Sequence, residues 1–170
     1  MTARYAFLLL TWLLLPGVAA GEGAPRLERF LQQSGPICAR GPADACLARL
    51  FAYLDTDGSR RVEPGELRRA RADAGAWVDR HRNSLPPLER RLADGLLWTV
   101  DLIGTDALFR GYDTDGDGRL TARELFADIR TDGRPLGALL GDREAIDWGR
   151  MRARFGRAVM LLEAILGGLY

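Results

Sequence analysis

Apolar side chains recur at helical spacing along most of the chain, and polar segments rich in glycine, proline and aspartate separate these stretches. Two of the stretches each end at an acidic segment, and their apolar residues stand at matching offsets. The first contains Leu50, Phe51 and Leu54, and the second contains Leu108, Phe109 and Tyr112. Both are predicted to be helices that bury one face, which indicates an all-α protein.

Further helices follow from the same spacing. Residues 64–81 are predicted to form one helix, and paired prolines in the segment 83–87 end it. The spacing is helical again over residues 88–112, where either Gly95 or Gly104 is expected to interrupt the helix. This stretch is an insertion between the two acidic segments, and it lengthens their connection without adding a set of polar ligands.

Both ends of the chain carry additional helical patterns. Residues 24–36 are predicted to contain a short amphipathic helix, and residues 131–135 are expected to end the helix that follows the second acidic segment. A last helix is predicted over residues 147–166. We expect it to cover the apolar face of the acidic loop-and-helix units, either permanently or until a ligand releases it.

Residues 1–20 differ from the remainder of the chain. One arginine is followed by a short apolar run and then by small residues at a possible cleavage site. This pattern is typical of a secretory signal peptide that is cut before Gly21. The apolar run is shorter than the roughly 20 residues that a membrane-spanning helix needs. The chain is therefore expected to be exported, to the periplasm or out of the cell. An uncleaved N-terminal anchor is the alternative.

The charge balance argues against two classes of partner. Without residues 1–20, whose one charged side chain is Arg4, the chain has 23 basic and 23 acidic residues. Such a balanced chain has no overall field that would attract nucleic acid or an anionic membrane. Arg157 and Glu163 in the last apolar stretch also argue against a transmembrane span there.

Cys38 and Cys46 are the two cysteines of the chain, and an even count in an exported protein favours a disulfide. On one continuous helix this spacing would separate them by about 12 Å, which is too far for a bond. Because Gly41 and Pro42 break such a helix, the chain can fold back and join the two sulfurs. Two reduced, buried thiols are the alternative.

The second acidic segment, residues 113–124, carries the most specific chemistry. Carboxylates stand at positions 1, 3, 5 and 12 of a twelve-residue loop, and Gly118 at position 6 allows a sharp turn. This is the spacing of oxygen ligands around Ca²⁺, with a backbone carbonyl at residue 7. An acidic turn that binds no metal is the alternative. The predicted ligands are Asp113, Asp115, Asp117, the carbonyl of Arg119 and Glu124, with Thr121 acting through a water molecule.

The same pattern recurs once, over residues 55–66. Arg60 occupies position 6 of this loop, where glycine is expected, and a side chain forced to positive φ costs about 1–2 kcal/mol. The first loop is therefore predicted to bind Ca²⁺ more weakly than the second, or to serve only as its structural partner. Its predicted ligands are Asp55, Asp57, Ser59, the carbonyl of Arg61 and Glu66, and Glu63 is a further candidate.

The two repeats resemble EF-hands of the calmodulin type. The resemblance implies two helix–loop–helix units that pair through a short two-stranded bridge, with Val62 opposite Leu120 and with extra helices between and after the units. Arg60 and the long separation of the loops depart from the family pattern. The chain then divides into residues 1–20 (signal peptide), 21–42 (N-terminal arm with a short helix), 43–75 (first EF-hand), 76–100 (inserted helical connection), 101–130 (second EF-hand) and 131–170 (C-terminal helical segment).

The expected function is that of a non-enzymatic calcium-binding protein in which Ca²⁺ stabilises a surface for an unidentified protein partner. Calcium outside the cytosol can keep even weak sites filled. The alternative is a sensor that opens an apolar groove to regulate a partner, which the scarcity of methionine beyond Met151 and Met160 disfavours. An enzyme with appended EF-hands is less favoured, because the single histidine, His81, has no catalytic signature around it.

Overall fold

The computed structural model describes residues 26–167, with side-chain environments to residue 165. The signal-peptide prediction for residues 1–20 lies outside the described residues. Within them the chain forms nine helices and only isolated β-bridges, so the predicted all-α class is confirmed. The helices are α1 (Arg26–Arg40), α2 (Ala43–Leu54), α3 (Pro64–His81), α4 (Pro87–Ile103), α5 (Thr105–Tyr112), α6 (Ala122–Leu125), α7 (Leu136–Leu140), α8 (Trp148–Phe155) and α9 (Ala158–Gly167).

The main hydrophobic core lies between the two acidic loops and the helices that flank them. Its buried centre consists of Tyr53, Leu54, Val62, Phe109 and Leu120. Val62 and Leu120 exchange two backbone hydrogen bonds, with N–O distances of 2.8 and 2.9 Å. Because both side chains are fully buried in this shared core, removal of their apolar surface from water holds the two loops side by side.

Helix α1 is longer than the sequence predicted. A short helix was expected within residues 24–36, yet α1 continues to Arg40 with Pro36 in its interior, where a proline costs about 3 kcal/mol. Its last turn is held from outside the helix, because Cys38 is buried and bonded to Cys46 at the start of α2. The two Cα atoms are 4.6 Å apart, which confirms the predicted disulfide.

Between the two loops the chain forms an antiparallel pair of helices: α3, which follows the first loop, and the inserted helix α4. Two ion pairs join these segments, one between Arg71 and Asp101 at 2.5 Å and one between Arg82, just after α3, and Asp94 at 3.1 Å. Of the two glycines expected to interrupt the following stretch, Gly104 is the one that separates α4 from α5. Its φ of +84° is a conformation that glycine adopts without steric cost.

The helix after the second loop is much shorter than predicted. Helix α6 ends at Leu125 after one turn, whereas the sequence suggested a helix that stops at residues 131–135. The chain turns instead, so that Ile129 pairs with Ile146 in an antiparallel bridge and Asp128 becomes buried. A long-range pairing with the C-terminal segment therefore outweighs the local preference for helix.

The single C-terminal helix predicted over residues 147–166 is two helices. Gly156, with a φ of +63°, separates α8 from α9 and changes the direction of the chain. Helix α8 packs on α5, whereas α9 packs mainly on the inserted helix α4. The expectation that one terminal helix covers both loop-and-helix units is therefore wrong. Among the described helices, none combines the length and the apolar character required to cross a membrane.

Candidate metal centre

Two acidic loops are joined by the Val62–Leu120 bridge. The first loop (residues 55–66) connects α2 to α3, and the second loop (residues 113–124) connects α5 to α6. Both entering helices end in the same way, because the first amide of each loop donates to a carbonyl four residues earlier at 2.9 Å. The two loops therefore start from equivalent backbone positions.

The first loop brings three of its predicted ligands together. Oxygen atoms of Asp55, Asp57 and Glu66 all lie within 4.8 Å of one another. The backbone amide of Ser59 donates to both aspartates, at 3.0 and 2.9 Å, and curls the chain around them. This amide also lowers the pKa of Asp57. The Ser59 hydroxyl donates to the carbonyl oxygen of Arg61 at 3.0 Å, so these two predicted ligands contact each other.

The second loop brings its three aspartates together. Oxygen atoms of Asp113, Asp115 and Asp117 all lie within 4.8 Å of one another. Backbone amides of the loop donate hydrogen bonds to two of these carboxylates: Asp117 N to Asp115 Oδ1 at 3.2 Å and Gly118 N to Asp113 Oδ2 at 3.1 Å. The other oxygen of Asp113, Oδ1, is buried and has no hydrogen-bond partner.

The glutamate that ends each loop sits in the first turn of the following helix as part of a capping box. Glu124 accepts hydrogen bonds from Thr121 at 3.0 and 2.8 Å and from Thr114 at 3.0 Å. These bonds, led by the Thr121 amide, lower the pKa of Glu124 to about 2 and keep its carboxylate ionised at neutral pH. The carboxylate lies outside the group of three aspartates, held by the two threonines.

Glu66 has an equivalent arrangement in the first loop. Its carboxylate accepts hydrogen bonds from the amide and hydroxyl of Thr56 and from the amide of Glu63 at 3.0 Å. Burial raises the pKa of Glu66, but these hydrogen bonds outweigh burial and lower the pKa below its usual value. Both glutamates are therefore oriented as anions by their own loops.

The threonines of the two loops have a role that the spacing of the oxygen ligands did not indicate. Thr56 and Thr114, the second residue of each loop, donate to the terminal glutamate, and the repeated Asp-Thr-Asp-Gly at the start of both loops was the signal for them. Thr121 was expected to act on the metal through water. In the structure its hydroxyl caps α6 by accepting the Glu124 amide at 3.3 Å.

Arg60 is the one described residue other than glycine that has a positive φ, at +64°. Its amide donates to Asp55 Oδ2 at 2.8 Å, as the amide of Gly118 does to Asp113 in the second loop. The turn therefore has the same form in both loops, and arginine adopts it at a steric cost of about 1–2 kcal/mol.

We expect Arg60→Gly to tighten the weaker calcium-binding step by about 5- to 30-fold, because glycine removes this cost. Isothermal titration calorimetry measures both steps. Arg60→Gln is the matched control, since it removes the same positive charge but keeps a side chain at positive φ. Equal affinities for the two variants would assign the effect to charge and contradict the role of strain.

Arginine side chains cross from each loop to the other, which the sequence did not indicate. Arg61 Nη1 donates to Asp117 Oδ2 at 2.7 Å, and Arg119 Nε lies 3.5 Å from Glu63 Oε1. From the sequence, Arg119 was expected to act through its carbonyl alone, and Glu63 was a further candidate ligand. In the structure their side chains form an ion pair between the loops.

A buried ion pair fastens the chain just beyond the second loop to α8. Asp128 is 2 % exposed and accepts a hydrogen bond from Arg154 at 2.6 Å, while Arg150 lies 3.6 Å from its other oxygen. Arg150 also donates to the carbonyl of Ala127 at 3.2 Å. We refer to Asp128, Arg150 and Arg154 as the brace.

The brace also reaches the start of the second loop. The Arg154 guanidinium lies 5.0 Å from the ring centroid of Tyr112, the residue before the loop, and burial together with the negative charge of Asp128 raises the pKa of this tyrosine. A Cβ atom at Gly111 would clash with the Phe155 ring, because α8 packs directly against the backbone there. Helix α8 thus contacts the chain on both sides of the second loop.

Comparisons with known proteins give no match. No protein-family model matches the chain. Searches of curated proteins and of solved structures likewise find no match. Its function is therefore inferred from the geometry and chemistry of the two loops.

Proposed function

We propose that this chain is an exported calcium-binding protein with two EF-hands, in which Ca²⁺ stabilises a surface for a protein partner. The observation that carries the proposal is the equivalence of the two loops. Each loop has ligand-type oxygens at the same loop positions. In each, the backbone amide at loop position 6 donates a hydrogen bond to the aspartate at position 1, and the threonine at position 2 donates one to the terminal glutamate.

The oxygen set fits a hard divalent cation. Asp113 Oδ1 is buried without a partner, and burying an unpaired carboxylate oxygen is costly, so the second loop favours a cation at this position. Carboxylate, hydroxyl and carbonyl oxygens are the ligands that Ca²⁺ prefers. The proposed ligands are Asp55, Asp57, Ser59, Arg61 and Glu66 in the first loop and Asp113, Asp115, Asp117, Arg119 and Glu124 in the second.

Electrostatics explain why binding would stabilise the fold. Asp113, Asp115 and Asp117 hold three carboxylates within 4.8 Å of one another, and like charges at this distance repel. Bound Ca²⁺ would supply the positive charge that offsets this repulsion. Binding to the folded loops and not to the unfolded chain then raises the free energy of unfolding.

The brace favours the stabilising role over the sensor. A sensor hand must let its exiting helix move when calcium binds. Here the exiting helix α6 is one turn long, and Asp128 just beyond it is fixed to Arg154. Since α8 also contacts Tyr112 at the start of the loop, such a movement would have to break buried polar contacts.

Export is supported by two independent features. The sequence of residues 1–20 has the pattern of a signal peptide. The Cys38–Cys46 disulfide is of a kind that persists in oxidising compartments such as the periplasm or the extracellular space. Calcium at such locations can keep sites with dissociation constants of about 10⁻⁴–10⁻³ M filled.

Adding Ca²⁺ to the metal-stripped protein is expected to release measurable heat and to raise the melting temperature without exposing apolar surface. At ten times the dissociation constant, each occupied site should add about 1.4 kcal/mol to the free energy of unfolding. Calorimetry, thermal melting and an apolar dye give the three readouts, and Mg²⁺ at equal concentration controls for general charge screening.

The outcomes separate the candidate functions. Heat and a higher melting temperature with unchanged dye fluorescence support the stabilising role. A rise in dye fluorescence with Ca²⁺ would instead support the sensor, and no heat at millimolar Ca²⁺ would refute calcium binding altogether.

A further inference from the structure

The arginines at position 7 of each loop, Arg61 and Arg119, lie next to the bridge that joins the two loops. Arg61 precedes Val62 and Arg119 precedes Leu120. Because neighbouring residues of an extended segment point to opposite sides, burial of the two bridge residues directs both arginines away from the core. Arg119 stands across the bridge from Glu63, and Arg61 reaches Asp117.

Each oxygen of Asp117 accepts a hydrogen bond in this arrangement. Its Oδ1 accepts the Arg119 amide at 2.8 Å, and its Oδ2 accepts Arg61 Nη1 at 2.7 Å. Asp117 is also residue 5 of the second loop, a position that supplies a cation ligand. A cation in the second loop must therefore share this carboxylate with a guanidinium that belongs to the first loop.

We infer that Arg61 lowers the cation affinity of the second loop and couples the two sites, by holding Asp117 as a built-in counter-ion. When the second loop is empty, the guanidinium offsets part of the repulsion among the aspartates. When a cation arrives, it competes with the same guanidinium for Asp117. Arg61 thus stabilises the empty loop and weakens its affinity. The inference rests on the proposed calcium-binding function.

The coupling follows from the two roles of this residue. The carbonyl oxygen of Arg61 is a proposed ligand of the first loop, while its side chain is bound to a ligand of the second. Occupancy of the first loop would fix the backbone from which the guanidinium extends. Any effect of the first site on the second must be matched by an equal effect in the other direction, since binding free energies are reciprocal.

The expected size of the effect is moderate. The Arg61 and Asp117 side chains are 38 % and 36 % exposed, so water screens their attraction. Exposed ion pairs of this kind change equilibria by about two- to fivefold. Neighbouring Arg60 has no hydrogen bond or ion pair from its side chain within the described part of the chain, and it provides a matched control of equal charge.

The test measures calcium affinity in an Asp55→Ala background, where only the second loop binds. We expect Arg61→Gln to tighten binding by about two- to fivefold and Arg60→Gln to leave it nearly unchanged. The difference in calcium affinity between the two variants should shrink at 1 M salt, where the screening length is about 3 Å. Equal affinities for the two variants would overturn the inference while leaving calcium binding intact.

A second measurement needs no calcium. In excess chelator, Arg61→Gln and Asp117→Asn are each made alone and together, and thermal melting is followed. Less than additive effects on the melting temperature support a direct pair between the two side chains. Additive effects would refute it. If the Asp55→Ala parent shows no heat with Ca²⁺ and the unmodified protein shows none either, the proposed function fails together with this inference.

Discussion

Replacing Asp128 with alanine is expected to lower the free energy of unfolding by about 3 kcal/mol, because it leaves the Arg154 guanidinium largely buried without its counter-charge. Asp128 is 2 % exposed and Arg154 donates to it at 2.6 Å. For a domain of this size the loss corresponds to a fall of about 10 °C in melting temperature. Urea denaturation at saturating calcium measures it.

Asp79→Ala is the matched control for this substitution. It removes the same side chain from another aspartate–arginine pair, but Asp79 is 74 % exposed and lies 3.3 Å from Arg82. Exposed pairs contribute little, so this variant should unfold almost as the unmodified protein does. If both variants lost the same stability, the buried position of the brace would not be what holds the second loop.

Asp113→Ala should remove the tighter calcium-binding step, with a loss of affinity on the order of 100-fold or more. Removing a residue that only supports a metal ligand already costs about 10- to 100-fold, and Asp113 is proposed to be a ligand itself. Its Oδ1 atom is the buried oxygen that lacks a partner in the second loop. Calorimetry should retain only the weaker step of the first loop.

Without calcium, the Asp113→Ala variant is expected to be at least as stable as the unmodified protein, so misfolding would not explain its loss of calcium binding. In chelator, alanine removes one of three crowded carboxylates and an unpaired buried oxygen, so the melting temperature should stay equal or rise. Asp132→Ala is the control, because this exposed aspartate pairs with Arg134 outside both loops. Loss of the tighter step in that control would contradict the assignment.

The brace and the loops together suggest how stability and binding are divided in this protein. The second loop is closed on one side by its own capping box and on the other by contacts of α8 with Tyr112. A cation would then enter a loop whose backbone is already held at both ends, and only the Glu124 carboxylate would have to move from its threonines to join the three aspartates. Such preorganisation is consistent with a site that stays filled, as the proposed stabilising function requires.

Some expectations from the sequence fail for identifiable reasons. The helix after the second loop stops at Leu125, because Ile129 pairs with Ile146 and Asp128 is drawn into an ion pair. The last helix divides at Gly156, and only its first half lies against a loop-flanking helix. In the first case the deciding partner, Ile146, lies beyond the stretch in which the helical pattern was found, whereas Gly156 lies inside the predicted helix and ends it through its positive φ.

The sequence by itself determined the features that depend on residues close together in the chain. All proposed ligands of a loop fall within twelve residues, so their spacing alone indicates which oxygens can converge. The strained position of Arg60 also follows from local geometry. The disulfide follows from the presence of only two cysteines, eight residues apart, since only one pairing is possible.

Only the tertiary structure decided the contacts between distant segments. Arg154 and Asp128 are 26 residues apart, and Arg61 and Asp117 are 56 apart. Many arginines could pair with many acids in this chain, and charge patterning does not select among them. The selection comes from packing of the shared core, which brings one guanidinium within hydrogen-bonding distance of one particular carboxylate.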